Sequence, residues 1–133
     1  MIRYALDTNI VTYYLKSNKK IIDRVSVETD NNNIIIIPPI VFYEIKRWLL
    51  AINAGKKLAL FENMCSLSGI DKIDKDVLET ASVIYANLQK EGIIIGDNDI
   101  LIASYCINHE ITLVTNNETH FKNIKSLKFT NWL

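Results

Sequence analysis

The chain has 133 residues, enough for one domain, 1–133, that buries about two thirds of its unfolded surface and needs no disulfide or metal staple to fold. Apolar residues make up 49% and charged residues 23%, the latter in no long blocks, which excludes a disordered or low-complexity chain. Fifteen basic residues balance fifteen acidic ones, so there is no overall field to attract nucleic acid, and any such binding needs a local basic patch.

In chain order, "IRYAL" (2–6) reads as a short strand that ends at Asp7, and "TNIVTYYLKS" follows as a helix with Thr8 or Asn9 as its cap. "KKIIDRVSVE" predicts a second helix. The polar "TDNNN" then precedes "IIIIP", a β-branched run of the kind expected of a strand buried on both faces. Pro38 and Pro39 end that strand, and Pro39 suits the first turn of the helix "IVFYEIKRWLLAI" (40–52), which Gly55 is expected to close. "KKLALFENMCSL" predicts the next helix and "GIDKID" a third short strand.

Asp74 is placed to cap "KDVLETASVIYANLQKE", whose Val77, Leu78, Ala81, Ile84, Tyr85 and Leu88 trace a helical stripe that stops at Gly92. "GDND" opens a helix through Cys106 with Asp97 and Asn98 as caps, "ITLVT" is a strand, and "SLKFT" a final one. Helices alternating with short apolar strands predict an α/β, three-layer sandwich around a central, mainly parallel sheet.

No run approaches the roughly 18 apolar residues that a membrane span requires, and the N-terminus has no apolar region of the export type. Cys65 and Cys106 lie in apolar helical contexts without metal-ligand spacing, the pattern of buried, reduced thiols in a cytoplasmic protein.

The acids carry the functional signal. Val41, Ile45, Trp48, Leu49 and Ile52 share one helical face, and Glu44 falls on it between Ile40 and Trp48. An ionised carboxylate among apolar neighbours is costly unless it is paired or binds a metal; the plainer alternative is a stripe edge from which the side chain bends to water. Asp7 closes the first strand at its carboxyl end, where open α/β sheets place ligands, though a capping aspartate fits there too. Asp99 shares a face with Ile102, Ala103 and Cys106, or alternatively complements the helix dipole. Together the three suggest an acidic pocket for a divalent metal. Thr115, Asn116 and Asn117 follow a strand at the same edge, where an Asn-rich turn is the plain alternative. His120 is placed where it could approach the pocket, but His109 and His120 both read as solvated or loop residues, lacking partners at ligand spacing.

With "LDTN" at 6–9, "YEI" at 43–45, "IGDNDILIA" at 95–103 and "LVTNN" followed by Phe121, the chain resembles the PIN-domain ribonucleases, specifically VapC-type toxins of toxin-antitoxin pairs. The resemblance runs nearly end to end. It implies an endoribonuclease that hydrolyses single-stranded RNA with Mg²⁺ or Mn²⁺, is held in check by a cognate antitoxin and forms a homodimer. Carried over by position, Asp7, Glu44 and Asp99 match the metal-binding carboxylates. Where the family often has a fourth acid, this chain has Asn117, whose amide can offer a carbonyl oxygen or hold a water. Asp97 is an extra acid nearby. Thr8, Asn9 and Thr115 are placed to orient the carboxylates, and Lys46, Arg47, Lys56 and Lys57 form a basic cluster able to meet phosphate or simply to be solvated.

Two further classes stay open at this point. A non-catalytic interaction module would retain a vestigial pocket, as Asn117 allows. A phosphoacceptor receiver domain would gather acids at strand ends, but it requires an acid pair after the first strand and an acid after the third, and the first strand here ends in Asp7 alone while "IIIIPP" offers none.

Overall fold

Strand β1 (Arg3–Leu6) runs through the middle of a four-stranded sheet of order β2-β1-β3-β4, with β2 (Ile34–Ile36), β3 (Thr112–Val114) and β4 (Phe129–Thr130) all parallel to their neighbours. The computed structural model describes residues 1–133. Successive strand residues point to opposite faces, and Tyr4, Ala5 and Leu6, like Leu113 and Val114, are all buried. Both faces of the sheet centre are therefore covered by helices, as the sandwich requires.

Seven helices connect and flank the strands: α1 (Thr8–Leu15), α2 (Lys19–Asp30), α3 (Pro39–Ala51), α4 (Gly55–Ser68), α5 (Lys75–Lys90), α6 (Asp97–Asn108) and α7 (Glu118–Phe121). A single contiguous cluster of 29 buried residues forms the core. Cap chemistry sets several helix starts. The Asn18 side chain accepts from Ile21 N–H at 3.1 Å and the Asp74 side chain from Val77 N–H at 3.0 Å, while Pro39 opens α3 in the position where a missing N–H costs nothing.

Four local expectations are corrected. β2 is an edge strand, with Ile34 exposed and Ile35 and Ile36 half-buried, because its run of isoleucines has β1 on one side only. Gly55 begins α4 and does not close α3. Asn53 (φ 53°) takes the left-handed position after α3, a conformation asparagine tolerates. "GIDKID" forms no strand: no neighbour pairs with it, and the Asp71 carboxylate accepts the Lys72 N–H at 2.7 Å, a local turn contact that competes with a ladder. Finally, Gly96 occupies the cap position of α6 with no side-chain cap bond, so Asp97 and Asn98 belong to the helix itself.

At the corner between α2 and β2, Glu28 is 7% exposed. Arg24 Nε donates to one carboxylate oxygen at 2.9 Å and Asn33 Nδ2 to the other at 2.6 Å. The Arg24 hydrogen bond is the largest cause holding this carboxyl below its ordinary range, with Asn33 next. Asn33 Oδ1 also accepts the Ile2 N–H at 2.8 Å, so one asparagine ties the corner to the entry of β1.

Candidate active site

Asp7 leaves the carboxyl end of the central strand and begins α1. Its backbone N–H still belongs to the sheet, donating to the Val114 carbonyl at 2.9 Å, while its carboxylate accepts from Thr8 N–H at 2.8 Å as the α1 cap. The capping role and a place in a functional site thus coincide in one residue. Its other carboxylate oxygen accepts from the Thr115 hydroxyl at 2.7 Å and the Asn9 amide at 3.2 Å. Thr115 in turn accepts the Asn117 N–H at 2.9 Å, and Asn9 Oδ1 accepts the Asn116 N–H at 3.1 Å. The loop after β3 is therefore locked to the loop after β1 through Asp7.

Glu44, half-buried on α3, accepts from the Thr8 hydroxyl at 2.7 Å and from the Asn98 amide at 3.2 Å. Its place in an apolar stripe follows from these partners: the helix aims it at α1 and at the start of α6. Asp99, in the first turn of α6, has Oδ2 3.2 Å from His120 Nδ1, and the same nitrogen lies 2.8 Å from the Asn117 amide. Asp7, Glu44, Asp99 and Asn117 all line one cleft of about 460 Å³ at the carboxyl edge of the sheet. Asp97 does not join them; it lines a separate hollow against α5 with Leu78 and Tyr85. The basic cluster is also elsewhere. Lys46 pairs with Glu62 at 2.9 Å, Arg47 lies over the Tyr43 ring, and none of the four cations lines the cleft.

Asp7 is 3% exposed, and burial pushes its carboxyl up to about 6. The Thr115 and Thr8 hydrogen bonds pull the other way, while Asp99 and Glu44 add further upward pressure as like charges. No Lys or Arg forms an ion pair with any of the three acids. The three acids thus gather here with no Lys or Arg paired to any of them, and their donors are all hard oxygens, the set a divalent cation such as Mg²⁺ or Mn²⁺ prefers. No three acidic, histidine or cysteine side chains converge to enclose a metal by themselves. One or two carboxylates with water completing the shell, the habit of magnesium, is the arrangement these residues fit.

Two contributors were given other roles in the sequence reading, His120 as a loop residue and Asn98 as a cap. His120 reaches Asp99 and Asn117 from α7, and its spacing of three from Asn117 on a helical turn was the available signal. Asn98, expected as a cap, instead holds Glu44, a contact between residues 54 apart that no local pattern reveals. Cys65 and Cys106 are buried free thiols, and burial raises both well above the range in which a thiolate forms at neutral pH. They take no part in the cleft. No helix is long and apolar enough to cross a membrane.

Comparison with known proteins agrees with this fold. The PIN domain profile matches residues 4–127. Ribonuclease VapC2 of Rickettsia felis is 34% identical over 133 residues, covering 97% of this chain and 97% of its own length. Ribonuclease VapC2 of Haemophilus influenzae is 30% identical over 135 residues with 100% of both chains covered. The crystal structure of VapBC2 from Rickettsia felis bound to a DNA fragment from their promoter superposes with a TM-score of 0.88 at 31% identity, covering 99% of this chain and 100% of that one. DNA-bound VapBC from Salmonella typhimurium, at 24% identity and full coverage of both chains, shares the fold with a TM-score of 0.88.

Proposed function

Because the chain belongs to the PIN-domain family, we propose that it is a metal-dependent endoribonuclease toxin hydrolysing RNA phosphodiester bonds under the control of a cognate antitoxin. The observation that carries this reading is the gathering of Asp7, Glu44 and Asp99 into one cleft with no Lys or Arg paired to any of them. Family membership also removes the receiver-domain alternative. Residues 1–133 act as one PIN-like unit, as the single core cluster and the coverage of the relatives support.

In this reading Asp7, Glu44 and Asp99 hold Mg²⁺ or Mn²⁺. When bound, such an ion neutralises phosphate charge and makes a water more acidic, which an anionic diester otherwise resists. The chain's own residues hold the carboxylates ready. Thr115 and Asn9 fix Asp7, Thr8 and Asn98 fix Glu44, and His120 Nδ1 either donates to Asp99 or accepts from the Asn117 amide, according to its tautomer. Asn117 stands in the place of a fourth acid and offers an amide oxygen to a water or to the metal. No serine or cysteine nucleophile is required.

The partners follow from the same site. A small antitoxin buries an apolar groove and extends a basic side chain into the acid cleft, which supplies the missing counter-charge; the VapBC complex that shares this fold supports the pairing. A homodimer is expected, and a monomeric mass in analytical ultracentrifugation would refute it. The two buried free thiols support action in the cytoplasm.

The test is cleavage of a pooled small-RNA preparation by protein freed of antitoxin, with Mn²⁺, with EDTA, and with Glu44→Gln in place of the wild type. Cutting only with metal and with Glu44 is the expected result. A folded protein that cuts in no lane would favour a non-catalytic module with a vestigial pocket.

A further inference from the structure

Two side chains in the acid cleft have no task in holding a metal: Tyr13 and Lys16. Both stand on α1 or its cap, on the face that also carries Thr8, Asn9 and Thr12, while Ile10, Val11 and Leu15 of the opposite face are buried in the core. At about 1.5 Å of rise per residue, Lys16 lies roughly 12 Å along the helix from Thr8, whose hydroxyl holds Glu44. The helix therefore connects the carboxylates at its start to a cation and an aromatic ring at its end.

RNA entering an acid-lined cleft is repelled at every phosphate that nothing neutralises. Lys16 is the only basic residue lining this cleft, and it forms no ion pair with any acid of the chain. A lysine at a helix C-terminus also eases the helix dipole, which accounts for its charge but not for its facing this cleft. Tyr13 is the only aromatic there. It is half-buried, packs against the core, and its ring pairs with no other aromatic ring.

We infer that Tyr13 and Lys16 form the substrate-holding end of the cleft: Tyr13 stacks on an unpaired base, and Lys16 meets the phosphate of a nucleotide beside the one that is cut. The inference rests on the ribonuclease reading above and assigns to two residues the hold on the single strand that the family resemblance implies. A base within a duplex has both faces covered by its neighbours, so a stacking tyrosine selects unpaired loops and single strands. The selection is tolerant of sequence, because every base has an aromatic face.

The experiment uses full-length protein with Glu44→Gln to suppress cutting, Mg²⁺, and an unstructured oligouridylate carrying one 2-aminopurine. Stacking quenches the fluorescence of that base. Tyr13→Phe should keep both quenching and affinity, whereas Tyr13→Ala and Tyr13→Leu should lose the quenching and weaken binding about tenfold. Leu keeps the apolar packing, so its loss of quenching cannot be blamed on a collapsed helix. Lys16→Ala should weaken binding and reduce the slope of log affinity against log salt by about 0.7, the loss of one phosphate contact on a single strand. Quenching and affinity unchanged in Tyr13→Leu and Lys16→Ala would overturn this inference and leave the ribonuclease reading standing. A wild-type protein that neither binds nor cuts RNA would overturn both.

Discussion

Two carboxylates are buried in this molecule, and the chain treats them in opposite ways. Glu28, at the corner of α2 and β2, is answered from within: Arg24 and Asn33 take one oxygen each, and its carboxyl is held below its ordinary range. Asp7, at the carboxyl edge of the sheet, is more deeply buried yet receives only neutral donors from Thr8, Asn9 and Thr115, with Asp99 and Glu44 adding negative charge, and its carboxyl is pushed up to about 6. A buried acid neutralised by its own chain is a structural element. One left without a cation marks where an outside charge is to bind. Cavity size would have misled here, because a larger hollow, about 630 Å³ between α5, α6 and residues 123–126, contains none of the three acids.

The comparison can be broken most directly by Asp7→Asn. Cleavage in Mn²⁺ should fall by about a thousandfold or more, since a group holding several kcal/mol of transition-state charge stabilisation is lost. Glu28→Gln should leave the rate within about twofold, as its pair lies in a different corner.

Stability should respond in the reverse sense. The Asp7 carboxyl has its folded value, about 6, above the ordinary 3.8, so the folded state holds its proton more tightly. Stability from this group is therefore greatest below about pH 4 and declines as the pH rises through 6, by on the order of 3 kcal/mol in all. Glu28 has the opposite sign: its contribution is present above its ordinary value of 4.5 and is lost as the pH falls through its lowered folded value. Metal-free Asp7→Asn should accordingly melt several degrees higher than wild type at pH 7, a difference that thermal denaturation should show shrinking towards pH 4. Glu28→Gln should melt lower, by an equivalent of about 1 kcal/mol. Added Mn²⁺ should raise the melting temperature of wild type and not that of Asp7→Asn.

Removing the neutral donors sharpens the contrast at smaller scale. Thr8→Val and Thr115→Val each leave a carboxylate in place but unheld, and should weaken Mn²⁺ affinity by about 10- to 100-fold in calorimetry while the circular dichroism spectrum stays unchanged. Equal affinity in both variants would show that the carboxylates need no orientation from the chain.

The acids were legible in the sequence because each breaks a rule that is local. Glu44 interrupts a stripe of period 3.6, and Asp7 closes an apolar run at the end of a strand where a sheet places ligands. The alternation of elements was legible for the same reason. What escaped depends on contacts between distant residues. Whether "IIII" lies at the centre of the sheet or at its edge is decided by which strand pairs beyond it, and nothing within residues 34–37 records that. "GIDKID", read as a short strand between two helices, finds no partner. Asn98 and His120 were read through their immediate neighbours, as a cap and a loop residue, whereas their contacts are 54 and 21 residues away. The closure of α3 by Asn53 instead of Gly55 is a smaller miss of the same origin, since two residues able to take the left-handed conformation stand close together and helix length decides between them.

The pairing of β1 with β3 has a consequence for the order of synthesis. Asp7 leaves the ribosome early, but the hydroxyl that fixes its carboxylate, and the strand that receives its backbone N–H, follow more than a hundred residues later. Until that segment emerges, the sheet lacks β3 and β4 and the acid cleft lacks Asn117 and the hydroxyl that holds Asp7. A ribosome therefore carries no working copy of this site while the chain is being made, and the interval between complete synthesis and folding sets when the molecule must first be restrained.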